Sequence, residues 1–82
     1  TKVPVLEIYP NPSQGVIFIS VSQAMQDATI RIYSITGQLV SQSDHIKGLS
    51  FETHLHEQSN GLYFIQIVDG ENQLIDKFQI QH

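Results

Sequence analysis

The stretch LYFIQIVDGENQLIDKFQI, residues 62–80, decides the fold class of this 82-residue chain. Its first seven residues are almost continuously apolar, as in a central strand that is buried on both faces. The polar segment DGEN at 69–72 is a tight-turn signal, and beyond it Leu74, Phe78 and Ile80 share one face of a second strand. The stretch therefore predicts an antiparallel β-hairpin.

A period of two residues also dominates upstream, with turn residues every 8 to 12 positions. In VIFISVS (16–22) and ATIRIYS (28–34), apolar residues alternate so that one face of each strand is core. The segment SQAMQD at 22–27 is too short for a stable helix and is predicted as a turn. About seven strands are predicted, near residues 4–9, 16–22, 28–34, 38–43, 49–56, 62–68 and 73–81. We expect an all-β, immunoglobulin-like sandwich of about seven antiparallel strands in two sheets, without the Cys-Trp-Cys core of true immunoglobulin domains.

Length and composition favour one small domain over residues 1–82. A chain of this size buries only roughly 60% of its unfolded surface, so its core is small. The net charge is −4 and the four Lys/Arg residues are scattered, so nucleic acid is not an expected partner. Cysteine is absent, which excludes disulfides. The chain opens with TKVPV and carries no signal peptide of its own, so we expect a fragment of a larger exported protein.

The motif ETHLH at 52–56 is the strongest chemical candidate. Glu52, His54 and His56 lie on one face of a predicted strand, and imidazoles so spaced can share a zinc or copper ion. We interpret them as a solvated polar face, because a strand of this kind lacks the buried surroundings of a metal site. No nucleophile elbow, zinc-protease helix or phosphate loop is present. The sequence therefore predicts no enzyme, no metal and no cofactor.

Four motifs follow one another in an informative order: YPNPSQG (9–15), IRIYSITGQLV (30–40), NGLYFIQI (60–67) and KFQI (77–80). By themselves the prolines predict a stiff corner, and the glycines predict turns with positive φ. In this order the motifs resemble the C-terminal sorting domain of the bacterial type IX secretion system, type A. The resemblance covers nearly the whole chain. The matching residues are Pro10, Asn11, Pro12, Gly15, Tyr33, Gly37, Gly61, Tyr63, Phe64 and Lys77.

The resemblance implies a non-catalytic secretion signal. Such a domain directs its parent protein through an outer-membrane translocon and is commonly removed by a sortase-like peptidase, after which the cargo is released or attached to the surface. The chain is then expected in the periplasm in transit and later at the cell surface or outside the cell. The resemblance assigns translocon recognition to Gly61, Tyr63, Lys77 and Phe78, and a structural role to Pro10, Asn11, Pro12, Gly15 and Gly37.

Two alternatives to a sorting signal remain. One is an adhesive or carbohydrate-binding β-sandwich, which a cluster of coplanar exposed aromatic side chains would favour. The sequence has three Tyr, four Phe and no Trp, which offers little material for such a cluster. The other is a structural spacer beside a catalytic domain, and its deletion would leave export intact.

Overall fold

The computed structural model describes residues 5–82, which form five antiparallel strands and no helix. The strands are β1 (Leu6–Tyr9), β2 (Val16–Ser34), β3 (Leu39–His54), β4 (Gly61–Asp69) and β5 (Asn72–Ile80). The all-β prediction is confirmed, although residue 4 of the predicted first strand lies outside the described residues. Within the described residues no helix is long and apolar enough to cross a membrane.

The number of strands differs from the sequence-based prediction because two predicted breaks are absent. The predicted strands 16–22 and 28–34 are both parts of β2, and 38–43 and most of 49–56 are parts of β3. The predicted turn at 22–27 is therefore strand, with shifts in register against β3 between Ser20 and Ala28. Such irregularities let a strand bend while it keeps its partner, so one long strand serves where two had been expected.

The long strands β2 and β3 each contribute to both layers of a sandwich. The first half of β2 pairs with β1 and with the second half of β3. The second half of β2 pairs with the first half of β3 and with β4, which in turn pairs with β5. Strands β1 and β5 contact each other across the layers. Strands that pass from one layer to the other through bends are a known way to close a sandwich.

The bend in β2 is held by a carboxylate from the end of β4. The amides of Gln26 and Asp27 fall where the β2–β3 register is interrupted. They donate instead to Oδ2 and Oδ1 of Asp69, at 3.0 Å and 3.2 Å. Backbone donors that lose a ladder partner need another acceptor, and Asp69 supplies it for both. This side chain therefore fixes where β2 turns from one layer into the other.

The core confirms the predicted alternation. On β2 the buried side chains include Ile17, Ile19 and Val21 in the first half, and Ala28, Ile30 and Ile32 in the second. On β5, Phe78 and Ile80 are buried and Leu74 packs against the core from its margin. On β4 only every second residue is fully buried, so this strand is less enclosed than its apolar sequence suggested. The remaining buried apolar side chains are Met25, Leu55, Tyr63, Ile65 and Ile67.

Candidate functional site

The corner segment, residues 9–15, lies against the outer edge of the last strand. The Ser13 N–H donates to the Gln79 carbonyl at 2.8 Å, and the Gln81 N–H donates to the Ser13 carbonyl at 2.7 Å. The side-chain carbonyl Oδ1 of Asn11 accepts the Gln79 N–H at 3.0 Å. Pro10 and Pro12 flank Asn11 on the exposed side of the segment. The corner therefore covers one end of β5, which lies almost seventy residues further along the chain.

Ser13 is the anchor of this corner, and sequence reasoning did not single it out. It is fully buried, and its hydroxyl donates to the Val16 carbonyl at 2.7 Å while accepting the Gly15 N–H at 3.0 Å. Its backbone forms an isolated parallel bridge with Ile80. A serine next to proline in a polar loop resembles any exposed turn residue, so nothing local distinguishes it. Its importance follows from the strand that packs beside it.

Gly15 has a positive φ of 122° and lies against the segment after β3. Its carbonyl accepts the Leu55 N–H. A Cβ added here would lie 2.8 Å from Nδ1 and 3.1 Å from Cα of His56. Gly15 thus combines a backbone conformation that favours glycine with a close approach between two segments. Gly37, in the turn between β2 and β3, also has a positive φ, of 88°, but an added Cβ would meet nothing within 4 Å.

The four residues assigned to recognition lie in the hairpin of β4 and β5, but in different environments. Gly61 opens β4 opposite Ile80. Tyr63 and Phe78 are register partners, 4% and 1% exposed, with ring centroids 5.9 Å apart and an interplanar angle of 22°. The Tyr63 hydroxyl donates to the Ser59 carbonyl at 2.7 Å, so this buried phenol is satisfied. Of the four residues, only Lys77 exposes its side chain to solvent.

Lys77 lies on the outer face of the hairpin, the face turned away from the core. It is the register partner of Phe64, which is half-buried. Two positions earlier on the same face, Ile75 is 65% exposed. Phe64 is in turn the register partner of Tyr33 on β2, whose hydroxyl lies 3.5 Å from Oε1 of Gln66. The outer face therefore presents a cation beside partly exposed apolar and aromatic side chains.

A second exposed group lies on the other layer. Tyr9 and Phe18 are register partners on β1 and β2, 48% and 38% exposed, and their rings stack with centroids 5.7 Å apart. Phe18 also pairs with Glu52 on β3, whose Oε2 lies 2.8 Å from Nε2 of His54. Sequence reasoning paired Glu52 with His54 but did not place the two aromatic rings beside them.

The predicted polar face at 52–56 is present as neighbouring exposed side chains. Oε2 of Glu52 lies 2.8 Å from Nε2 of His54, and both side chains are about half exposed. The rings of His54 and His56 are tilted, with centroids 5.7 Å apart. Within residues 5–82, no three His, Cys, Asp or Glu side chains are arranged to hold a metal ion.

One exposed histidine has a shifted pKa. Nδ1 of His45 lies 2.8 Å from Oδ1 of Asp27, next to the bend in β2. The hydrogen bond to Asp27, and then the negative charge of that carboxylate, raise the pKa of His45. His45 has a positive φ of 59°, and both side chains of the pair are mostly exposed. The pair thus spans β2 and β3 at the surface.

Comparison with known proteins identifies a family and a likeness to solved structures. The family model described as "Secretion system C-terminal sorting domain" matches residues 7–81. Among solved structures, the chain is similar to a DUF3244 family protein from Bacteroides vulgatus with an immunoglobulin-like β-sandwich fold, at 15% identity and a TM-score of 0.73, covering 95% of this chain and 94% of that one. At such low identity the likeness shows the fold alone, and it confirms the predicted sandwich. No curated protein matches the chain significantly.

Proposed function

We propose, on the premise that this chain belongs to the family of type IX secretion C-terminal sorting domains, that it directs a longer exported protein through an outer-membrane translocon. The observation that carries the proposal is the match to the family over residues 7–81. The fold supports it physically, because the first and last motifs form one surface. The corner segment bonds to Gln79, within the KFQI motif, and to Gln81, directly after it.

The proposed role needs no catalytic chemistry, since a folded domain acts here as a signal that a receptor binds. The steps after recognition are part of the same proposal. A sortase-like peptidase removes the domain, and the cargo is released or attached at the cell surface after passing through the periplasm.

The surface that we propose for recognition is the hairpin of β4 and β5. Lys77 supplies its exposed charge, and its N–H already bonds to the carboxylate of its neighbour Asp76 at 2.8 Å. The buried, stacked rings of Tyr63 and Phe78 support the hairpin from inside. Gly61 begins the hairpin at the end where the corner segment meets β5. In this proposal Lys77 is contacted directly, while the other three residues hold the hairpin in position.

A reporter fusion tests the proposal. The domain is placed behind a periplasmic reporter in a bacterium that has the type IX system, and surface delivery is measured for the intact domain, a deletion of residues 73–82, Lys77→Ala and Lys47→Ala. Lys47 is the matched control, an exposed lysine on β3. We expect delivery by the intact domain and by Lys47→Ala, loss of delivery on deletion, and reduced delivery by Lys77→Ala. A truncated reporter that is stable in the periplasm yet reaches the surface normally would refute the sorting function.

The stacked pair Tyr9 and Phe18 favours one second candidate, a carbohydrate-binding surface. Two exposed aromatic rings beside the carboxylate of Glu52 supply apolar faces for sugar rings and an acceptor for sugar hydroxyls. Affinity electrophoresis in gels that contain a bacterial polysaccharide tests it. Retardation that Phe18→Ala abolishes would support this function, whereas equal mobility with and without polysaccharide would exclude it for that glycan.

A further inference from the structure

The backbone groups along β5 alternate between β4 and the open side of the sheet. Three contacts identify the residues whose groups point outward. The Lys77 N–H donates to Asp76 Oδ1 at 2.8 Å, the Gln79 N–H donates to Asn11 Oδ1 at 3.0 Å, and the Gln79 carbonyl accepts from Ser13 at 2.8 Å. Because N–H and C=O of one residue point to the same side of an antiparallel strand, the outward set also includes Gln73 and Ile75.

This outer edge is covered at one end and open at the other. The corner segment occupies the backbone groups of Gln79 and Gln81, and the Asp76 carboxylate occupies the Lys77 N–H. By the same alternation the N–H groups of Gln73 and Ile75 point away from β4, and within residues 5–82 no turn, loop or side-chain hydrogen bond involves either of them. An edge with unpaired backbone groups is a template for another strand, and proteins limit it with nearby charges and short covers. The corner segment and the Asp76 carboxylate protect this edge in these two ways, but neither extends beyond Lys77 to Ile75 and Gln73.

We propose that the open edge of β5, from Gln73 to Lys77, binds an extended segment of the translocon as an added β-strand. This inference rests on the sorting function proposed above and specifies its partner. The chain already shows this mode of contact, because Ser13 adds to the same edge as a one-residue parallel bridge opposite Ile80. A partner strand would lie along the same edge, next to the corner segment. It would bind through main-chain hydrogen bonds, as extended peptides do when they add a strand to a sheet.

Side chains next to the open edge indicate the chemistry of the partner segment. Ile75 is 65% exposed and favours an apolar neighbour. Lys77 is the only lysine or arginine of the hairpin and favours an acidic side chain beside it. A second copy of this chain fits less well, since each copy carries a net charge of −4 and the copies repel one another. The proposed occupant is therefore an extended segment with an acidic residue and an apolar residue on one face.

The test separates backbone pairing from side-chain contact at one position. Ile75→Pro removes the outward N–H and leaves the ladder to β4 intact, because that N–H is not part of the ladder. Ile75→Thr is the matched control, since it keeps the N–H and the β-branched shape but loses apolar surface. Both variants are compared with the intact domain in the reporter fusion, after circular dichroism and thermal melting have shown that each is folded. Gln73→Pro removes the other free N–H and serves as a second variant if Ile75→Pro does not fold.

We expect the proline variants to reduce surface delivery at least about tenfold, the scale of one or two backbone hydrogen bonds. Ile75→Thr is expected to retain most delivery. If the intact domain delivers the reporter and the folded proline variants deliver it equally well, strand addition is wrong while the sorting function stands. If the intact domain delivers nothing, the sorting function itself fails. Sedimentation that shows a dimer, lost in Ile75→Pro, would assign the edge to a second copy and overturn the proposed occupant.

Discussion

Replacing Gly15 with alanine is expected to destabilise the domain more than the same change at Gly37. Both glycines have a positive φ, of 122° and 88°. Only at Gly15 would the new Cβ meet other atoms, namely Nδ1 of His56 at 2.8 Å and Cα of His56 at 3.1 Å. The first neighbour is a side-chain atom that can turn away, but the second is backbone. The pair of substitutions therefore separates conformational strain from steric contact.

The magnitudes follow from these two effects. A positive φ imposed on a residue with a side chain costs about 1–2 kcal/mol, and this applies at both sites. Forcing two backbone segments apart adds about 1–3 kcal/mol, and this applies at Gly15 alone. We therefore expect a loss of roughly 2–5 kcal/mol for Gly15→Ala and about 1–2 kcal/mol for Gly37→Ala. Folded domains are stable by only about 5–15 kcal/mol, so the first loss is a large fraction of the total.

Urea unfolding followed by far-UV circular dichroism measures both losses. With a slope of about 1 kcal/mol per molar urea, a difference of about 2 kcal/mol separates the two midpoints by about 2 M. Adding His56→Ala to Gly15→Ala removes the contact with Nδ1 but leaves the contact with Cα, so it should restore part of the stability and not all of it. Equal losses at Gly15 and Gly37 would show that the close approach to His56 contributes nothing.

Three further predictions concern single side chains. Phe78→Ala should lower the free energy of unfolding by about 3–5 kcal/mol because it leaves a cavity in the core. Lys77→Ala should change it by no more than about 0.5 kcal/mol. Urea midpoints that shift equally in the two variants would contradict the assignment of Phe78 to the core and Lys77 to the surface. Because Asp27 raises the pKa of His45, their pairing adds stability in full below the ordinary histidine pKa, and this contribution is lost as the pH rises through the raised value. Asp27→Asn should therefore lower the melting temperature in mildly acidic buffer and leave it unchanged in alkaline buffer, and the opposite pattern would exclude the pairing. Micromolar zinc should leave the melting temperature unchanged, and a saturable rise that His54→Ala abolishes would establish a metal site.

The faces of the strands could be predicted from the sequence. Alternation is a local property with a period of two residues, so Ile17 and Ile19 fall on one side of their strand whatever that strand pairs with. The turn at 69–72 could also be predicted from the sequence, because a glycine between two strand-like segments indicates a hairpin. The order of the four motifs also indicated the family, since that signal lies in the sequence itself.

The continuity of the long strands could not be predicted in this way. The segment 22–27 contains polar residues that are typical of a turn, and only the carboxylate of Asp69, from a distant strand, satisfies the amides of Gln26 and Asp27 and keeps β2 extended. A local sequence pattern contains no information about a hydrogen-bond acceptor that lies more than forty residues away in the chain.

The candidate site shows the same difference between local patterns, which the sequence encodes, and contacts between distant residues, which it does not. The sequence by itself determined that a proline-rich corner and a terminal hairpin exist, because turn chemistry and alternation are encoded by neighbouring residues. Only the tertiary structure decided that Ser13 and Asn11 cover the end of β5, and that within residues 5–82 no second strand pairs with the edge from Gln73 to Lys77. Strand edges are defined by which strands pair, and pairing depends on contacts between distant parts of the chain.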